Sequence, residues 1–214
     1  VTQLSCVAPA VQSFDLMSGS DTGISAADRL TSASTLTFDL VFGAAIDGLT
    51  VADLTVEGTA TGCVVGDPTG SDANWTVPVT DCGEGTVALV LAPGSVEDGS
   101  GNPGPSQAVT TDPITVDLTA PTLALAAVAA GPTSSTSLSF TLTGDEPLDC
   151  GTLSADDGTD LVFGNLTGIG PVTSADPSTC AIPAVSSIVD GTVGASTLER
   201  AETFDVSDAA GNAQ

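Results

Sequence analysis

Four short phrases occur twice in this 214-residue chain, in the same order and at a nearly constant spacing. Pro9 in CVAP and Pro121 in DLTAP lie 112 residues apart, and each is followed by an apolar stretch. STLTFDLVF (34–42) has a counterpart in SLSFTLTGDEP (137–147), and WTVPV (75–79) one in CAIPA (180–184), 105 residues on. Asp98-Gly-Ser-Gly-Asn102 returns 110 residues later as Asp208-Ala-Ala-Gly-Asn212. Self-similarity at one period means two copies of one unit, each long enough to bury its own core.

Within each copy the apolar residues alternate with polar ones, as in TVALVLA (86–92), and Gly, Pro, Asp and Asn punctuate the runs. A period of two over short Val-, Thr-, Leu- and Phe-rich segments predicts strands, and no segment carries a capped helical period. About seven short strands per unit with such turn signals predict an antiparallel sandwich. Trp75, Phe38, Phe42, Phe140 and Phe204 are expected in the two cores.

Composition narrows the chemistry. There is no His and no Tyr, both positive side chains are arginines (Arg29 and Arg200), and 27 acidic residues bring the formal charge to −25. General acid–base and nucleophilic catalysis lean on His, Lys, Tyr or an activated Cys, so an enzyme is not expected. Carboxylate pairs alone would suit glycoside hydrolysis, but one Trp and six Phe leave little to wall a sugar cleft. The charge repels nucleic acid and anionic membranes. LALAAVAA (123–130) is too short to span a bilayer, so no membrane insertion is expected.

Five cysteines show neither CxxC spacing nor a histidine partner, which argues against zinc. Pairing Cys63 with Cys82 and Cys150 with Cys180 puts one bridge in each half. Loops of that size stabilise by roughly 3–4 kcal/mol in the chain-entropy picture. Disulfides imply an extracellular or cell-surface setting. Cys6 is left over, with another chain, a nearby segment or nothing as its partner.

AIDGLTVADLTVEGTATG, GTVALVLAPGSVEDGSGN and ITVDLTAP together resemble the bacterial immunoglobulin-like repeats of secreted surface proteins and adhesins, and SLSFTLTGDEPLDC to FDVSDAAGN resembles a variant of the same repeat. The resemblance implies an all-β chain of two tandem immunoglobulin-like antiparallel β-sandwiches arranged end to end. Residues 1–7 would be a linker or the end of a preceding strand, 8–117 the first sandwich and 118–214 the second. The second has no counterpart of QAVTTDPITV and is expected to lack its last strand, whereas Val1–Leu4 aligns with Pro113–Val116. A window from a longer tandem array is the expected origin. The competing expectation is a fibre subunit in which the N-terminal segment of one copy fills the open slot of the next.

In an end-to-end arrangement Asp117 of the linker would meet Asp145 and Glu146 of GDEP and Asp208 and Asn212 of DAAGN. Those are hard oxygen ligands from three segments, the chemistry Ca²⁺ prefers. Asp47, Asp98 and Asn102 form a weaker set in the first unit, with Ser5 where the linker Asp would be, and Asp21 and Asp28 flank an acidic loop. The competing reading for DGSGN and DAAGN is turn chemistry, with Gly101 and Gly211 at positive φ. Asn74 and Asn165 fit the N-glycosylation pattern.

The function expected is a non-catalytic structural or adhesive module of an extracellular stalk, filament or adhesin. Its partners would be neighbouring repeats, identical subunits, or a surface protein or glycan, and Ca²⁺ is the one cofactor expected. The alternative is a ligand-binding or accessory module of a larger secreted protein.

Overall fold

The computed structural model describes residues 7–129, 133–188 and 194–214. Cys6, Ser5 and the Val1–Leu4 segment lie outside the described residues. The chain divides into two compact units, the first ending at Leu118 and the second starting at Thr119. Apart from two short 3₁₀ turns, every regular element among the described residues is a strand.

In the first unit, LTFDLVF forms the strand Leu36–Phe42, whose alternation buries Leu36, Phe38, Leu40 and Phe42 on one side. It pairs antiparallel with Val11–Leu16 on one edge and Asn74–Thr80 on the other. Beyond Asn74–Thr80 come two pieces of one edge, Val64–Val65 and Thr69–Ser71. The facing sheet centres on Gly85–Leu91, with Leu54–Gly58 on one side and Val109–Thr110 followed by Ile114–Val116 on the other. Leu30–Thr31 joins Ile114–Val116 in parallel. Counting principal strands in chain order, one sheet holds the first, second, fifth and fourth and the other the third, sixth and seventh. That is the immunoglobulin arrangement. Phe38, Leu40, Val77, Val79, Leu89 and Ile114 are sealed between the sheets, and Phe14 meets the Phe38 ring edge-on at 6.3 Å.

A smaller sheet of Ile46–Asp47, Val96–Asp98 and Pro103–Gly104 adds Ile46 and Val96 to the core of this unit. Gly58, at φ +127°, ends its strand where a Cβ would stand 2.0 Å from the Thr86 carbonyl oxygen, a position only glycine fills.

The second unit repeats the first sheet strand for strand. Ser137–Gly144 pairs with Leu123–Ala127 and with Thr179–Ser186, and the latter carries Leu166–Ile169 and Thr173–Asp176 on its far edge. The two prolines of the repeated phrases, Pro78 and Pro183, occupy equivalent places in the strands Asn74–Thr80 and Thr179–Ser186. Each carbonyl accepts from a glycine of the neighbouring edge, Gly66 at 2.8 Å and Gly170 at 2.7 Å. Neither proline offers an N–H on that side, and the edge strand is interrupted there in both units.

Trp75 lies opposite Leu40, and Cys180 lies opposite Leu142. The half-buried indole of one unit is thus replaced in the other by a fully buried cysteine. The facing sheet of the second unit consists, among the described residues, of Leu161–Gly164 and Thr197–Arg200.

Asp160 knots the segments around that pair. It is buried, and its carboxylate accepts from the Ser154 N–H at 2.5 Å and the Asp205 N–H at 3.2 Å. Asp160→Ala leaves both donors unpaired, at about 1–3 kcal/mol for each such group. In urea titrations the variant is expected to lower the far-UV circular dichroism midpoint of the second unit. Fluorescence of Trp75, the single Trp of the chain, reports only the first unit and is expected to keep its midpoint.

Candidate functional site

Two of the acidic residues singled out in the sequence, Asp98 and Asp208, build tight turns. Asp98 Oδ1 accepts from the Ser100 N–H at 2.8 Å and the Asn102 N–H at 3.0 Å, while the Asn102 amide donates to Oδ2 at 2.8 Å. Asp208 accepts likewise from the Asn212 N–H at 2.9 Å and the Asn212 amide at 2.8 Å, but its other donor is the Gly211 N–H, at 2.7 Å, one place further along than Ser100. The main chain closes each turn between Asp98 and Asn102 or Asp208 and Asn212, and Gly101 and Gly211 sit at φ +77° and +99°. The Asn102 side chain is the first cause holding the Asp98 carboxyl below its ordinary pKa, followed by the Asn102 and Ser100 N–H groups.

These turns differ in burial. Asp98 is half-buried, whereas Asp208 is 1% exposed. Glu146 is half-buried, and its carboxylate comes within 4.8 Å of that of Asp208. Two carboxylates so close repel one another unless a cation or proton intervenes, which makes this pair the strongest cation candidate of the second unit.

Asp145 has a different task from its neighbour. Its Oδ1 accepts from the Thr122 N–H at 2.7 Å and its own N–H donates to the Thr122 carbonyl at 3.3 Å, bracing the start of the unit. That Thr122 bond is the main cause lowering its pKa. Asp117 follows Ile114–Val116 in the first unit, and its N–H donates to the Thr31 carbonyl at 2.9 Å. Asp47 is exposed and lies opposite Glu97 rather than Asp98, so the register sets it apart from the DGSGN turn.

The acidic loop of the first unit folds around Arg29, whose importance the sequence reading missed. Arg29 Nη2 reaches Asp15 at 2.9 Å and Asp112 at 3.4 Å, and its main chain is left-handed at φ +62°. The Arg29 N–H donates to Asp21 Oδ2 at 3.2 Å, and the Leu30 N–H donates to Asp28 Oδ1 at 3.1 Å. Asp21 is only 8% exposed, and its Oδ1 has no hydrogen-bond partner among the described residues. Burial is the leading cause that raises its pKa, with the charge of Asp28 adding to it. Asp28 is exposed.

The bridges join Cys63 to Cys82, S–S 2.06 Å, and Cys150 to Cys180, S–S 2.02 Å. The first clips an edge strand to its neighbour near the Val64–Thr80 pair, and the second ties a connecting segment to a central strand. Asn74 is exposed, whereas the exposed Asn165 donates its amide to the Ala195 carbonyl at 2.6 Å.

No family model and no curated protein matches this chain. Solved structures do match, among them FdeC, described as a broadly conserved Escherichia coli adhesin. The identity is 15%, the match covers 90% of this chain and 65% of that one, and the TM-score is 0.43.

The Asp21 arrangement has a pH signature. A carboxyl whose folded pKa is raised favours the folded state fully only below its unfolded pKa, and that advantage is lost as pH rises through the folded pKa. Asp21→Asn removes the charge and keeps an acceptor for Arg29. The variant is therefore expected to be more stable than the parent at neutral pH. In urea unfolding across pH 3–7, the gap is expected to close as the medium falls towards the ordinary Asp value of 3.8.

Proposed function

We propose that the two units are structural modules of a secreted or cell-surface protein, of the stalk, filament or adhesin kind, and that they carry no catalytic role. The observation that carries this reading is that one sheet of the first unit recurs in the second with the same strand order, and each unit holds its own disulfide. A repeated scaffold with different loops in each copy suits spacing and presentation. The chain's lack of His, Lys and Tyr removes the usual proton-transfer groups. Intrachain disulfides suit an oxidising exterior, and the charge of −25 keeps exposed modules apart from one another and from anionic surfaces.

Calcium is the cation proposed for this module. Glu146 and Asp208 supply two adjacent carboxylates. Ca²⁺ would relieve the repulsion of acidic groups gathered where the second unit begins. Asp145, engaged with Thr122, would support the site without ligating.

Two measurements test these readings. Antibody raised against the 214 residues is expected to label intact cells of the source bacterium, and brief external protease is expected to remove the signal; labelling only after lysis would refute a surface location. Millimolar Ca²⁺ is expected to raise the melting temperature above that in EGTA, with about 2.7 kcal/mol of stabilisation at a hundredfold excess over the dissociation constant. The shift should shrink in Glu146→Gln. Equal melting in Ca²⁺ and EGTA would reduce these residues to turn and solvation roles.

A further inference from the structure

The long connection between Val11–Leu16 and Leu36–Phe42 is pinned where it begins and where it ends. The Thr31 hydroxyl donates to the Ser20 carbonyl at 2.8 Å, and the Ser32 N–H donates to Thr22 Oγ1 at 2.8 Å. Ser20 Oγ in turn accepts from the Thr37 N–H at 3.0 Å. These bonds close the loop 21–28 at its base and bring its two acidic ends together. Asp21 Oδ2 takes the Arg29 N–H at 3.2 Å, and Asp28 Oδ1 takes the next one, the Leu30 N–H, at 3.1 Å. Two carboxylates held by consecutive amides stand side by side, close enough for the charge of Asp28 to act on Asp21. Each commits one oxygen to the main chain.

The other oxygen of Asp21 is the anomaly. Asp21 is 8% exposed, and its Oδ1 is sealed from solvent with no hydrogen-bond partner among the described residues. A buried carboxylate oxygen without a donor bears the whole cost of its lost hydration. Bulk water does not reach it, so whatever satisfies it must be seated inside the loop. Charge favours a cation. Asp15, Asp21, Asp28 and Asp112 gather around Arg29, four carboxylates against one guanidinium, or a net −3. Arg29 Nη2 is turned to Asp15 and Asp112, which leaves Asp21 and Asp28 without a counter-charge. Arg29 Nη1 is buried without a partner as well, so a water between it and Asp21 Oδ1 is the competing occupant. Such a water would leave the two adjacent carboxylates repelling one another.

We propose that the first unit holds a divalent cation, Ca²⁺, between the carboxylates of Asp21 and Asp28. Asp21 Oδ1 and the exposed Asp28 supply hard oxygens from the inner and outer sides of the loop, and water completes the shell. A site with so few charged ligands belongs with the weak calcium sites of extracellular modules, at about 10⁻⁴–10⁻³ M. Its effect reaches beyond the loop. The Arg29 carbonyl accepts from the Thr115 N–H at 2.8 Å, and Leu30–Thr31 runs parallel to Ile114–Val116. The cation therefore fastens the loop to the strand by which the chain leaves the first unit. This site shares no residue with the Glu146 and Asp208 pair, and either can fail without the other.

Trp75, the single Trp of the chain, supplies a readout confined to the first unit. Urea titrations of the whole 214-residue protein, followed by its fluorescence, compare EGTA, CaCl₂ and NaCl of matched ionic strength. With Ca²⁺ at about ten times the dissociation constant, the folded-to-unfolded ratio is expected to rise roughly tenfold over that in EGTA. Asp28→Asn keeps an acceptor for the Leu30 N–H and is expected to fold but to lose the response. Asp21→Asn is expected to lose it too, whereas Glu146→Gln is expected to keep it. In NMR spectra of ¹⁵N-labelled protein, Ca²⁺ is expected to shift the amides of Asp21, Asp28, Arg29 and Leu30. An equal gain in matched NaCl would overturn the site in favour of general screening, and a response retained by Asp28→Asn would overturn these ligands. No response of either Trp75 or these amides at about 10 mM Ca²⁺, ten times the weak end of that range, would assign Asp21 Oδ1 to a buried water instead.

Discussion

A backbone donor missing from the middle of a sheet organises both halves of this molecule. Pro78 and Pro183 sit in strands that pair along nearly their whole length with the core strands Leu36–Phe42 and Ser137–Gly144. On that side the ladder runs past each proline without interruption. On the other side the absent N–H means that no neighbour can continue straight past, and the edge breaks into two short pieces around Gly66 and Gly170. A Cβ on either glycine would come to 3.0 Å of the proline ring, so ring and glycine are fitted to one another. The interrupted edge is also a poor template for pairing with another sheet, since short, broken edges resist strand addition.

Much of this was legible in the sequence because the determinants are local and periodic. Alternation in LTFDLVF and the recurrence of WTVPV as CAIPA specify which strands face inwards and which correspond. Both disulfides followed from cysteine placement alone. The exchange of Trp75 for Cys180 shows why the alignment worked although the residues differ: the position is conserved in the fold as a place opposite a buried leucine, and either a large ring or a bridged sulfur can fill it.

The sites were less legible, because acidic residues in turns look alike until their hydrogen bonds are known. Asp145 and Glu146 are adjacent, yet one braces Thr122 and the other approaches Asp208. Asp21 and Asp28 flank one loop, yet one is buried with an unpaired oxygen and the other is exposed. Arg29 draws Asp15 and Asp112 from opposite ends of the first unit, a convergence that no spacing reveals. The Asp-to-Asn turns needed no more than their own residues, which is why Asp98 and Asp208 each hold the N–H and the side-chain amide of the Asn four residues on despite different middles.

The two disulfides have unequal mechanical meaning. A chain drawn from its ends lengthens by roughly 3.3–3.6 Å for every residue released. The Cys63–Cys82 bridge shields a separation of 19 residues from that extension, and the Cys150–Cys180 bridge shields 30. The second unit therefore withholds roughly 100 Å of slack, against roughly 65 Å in the first. The two units thus become links of different reach once they yield, the second releasing less because its bridge closes the longer stretch.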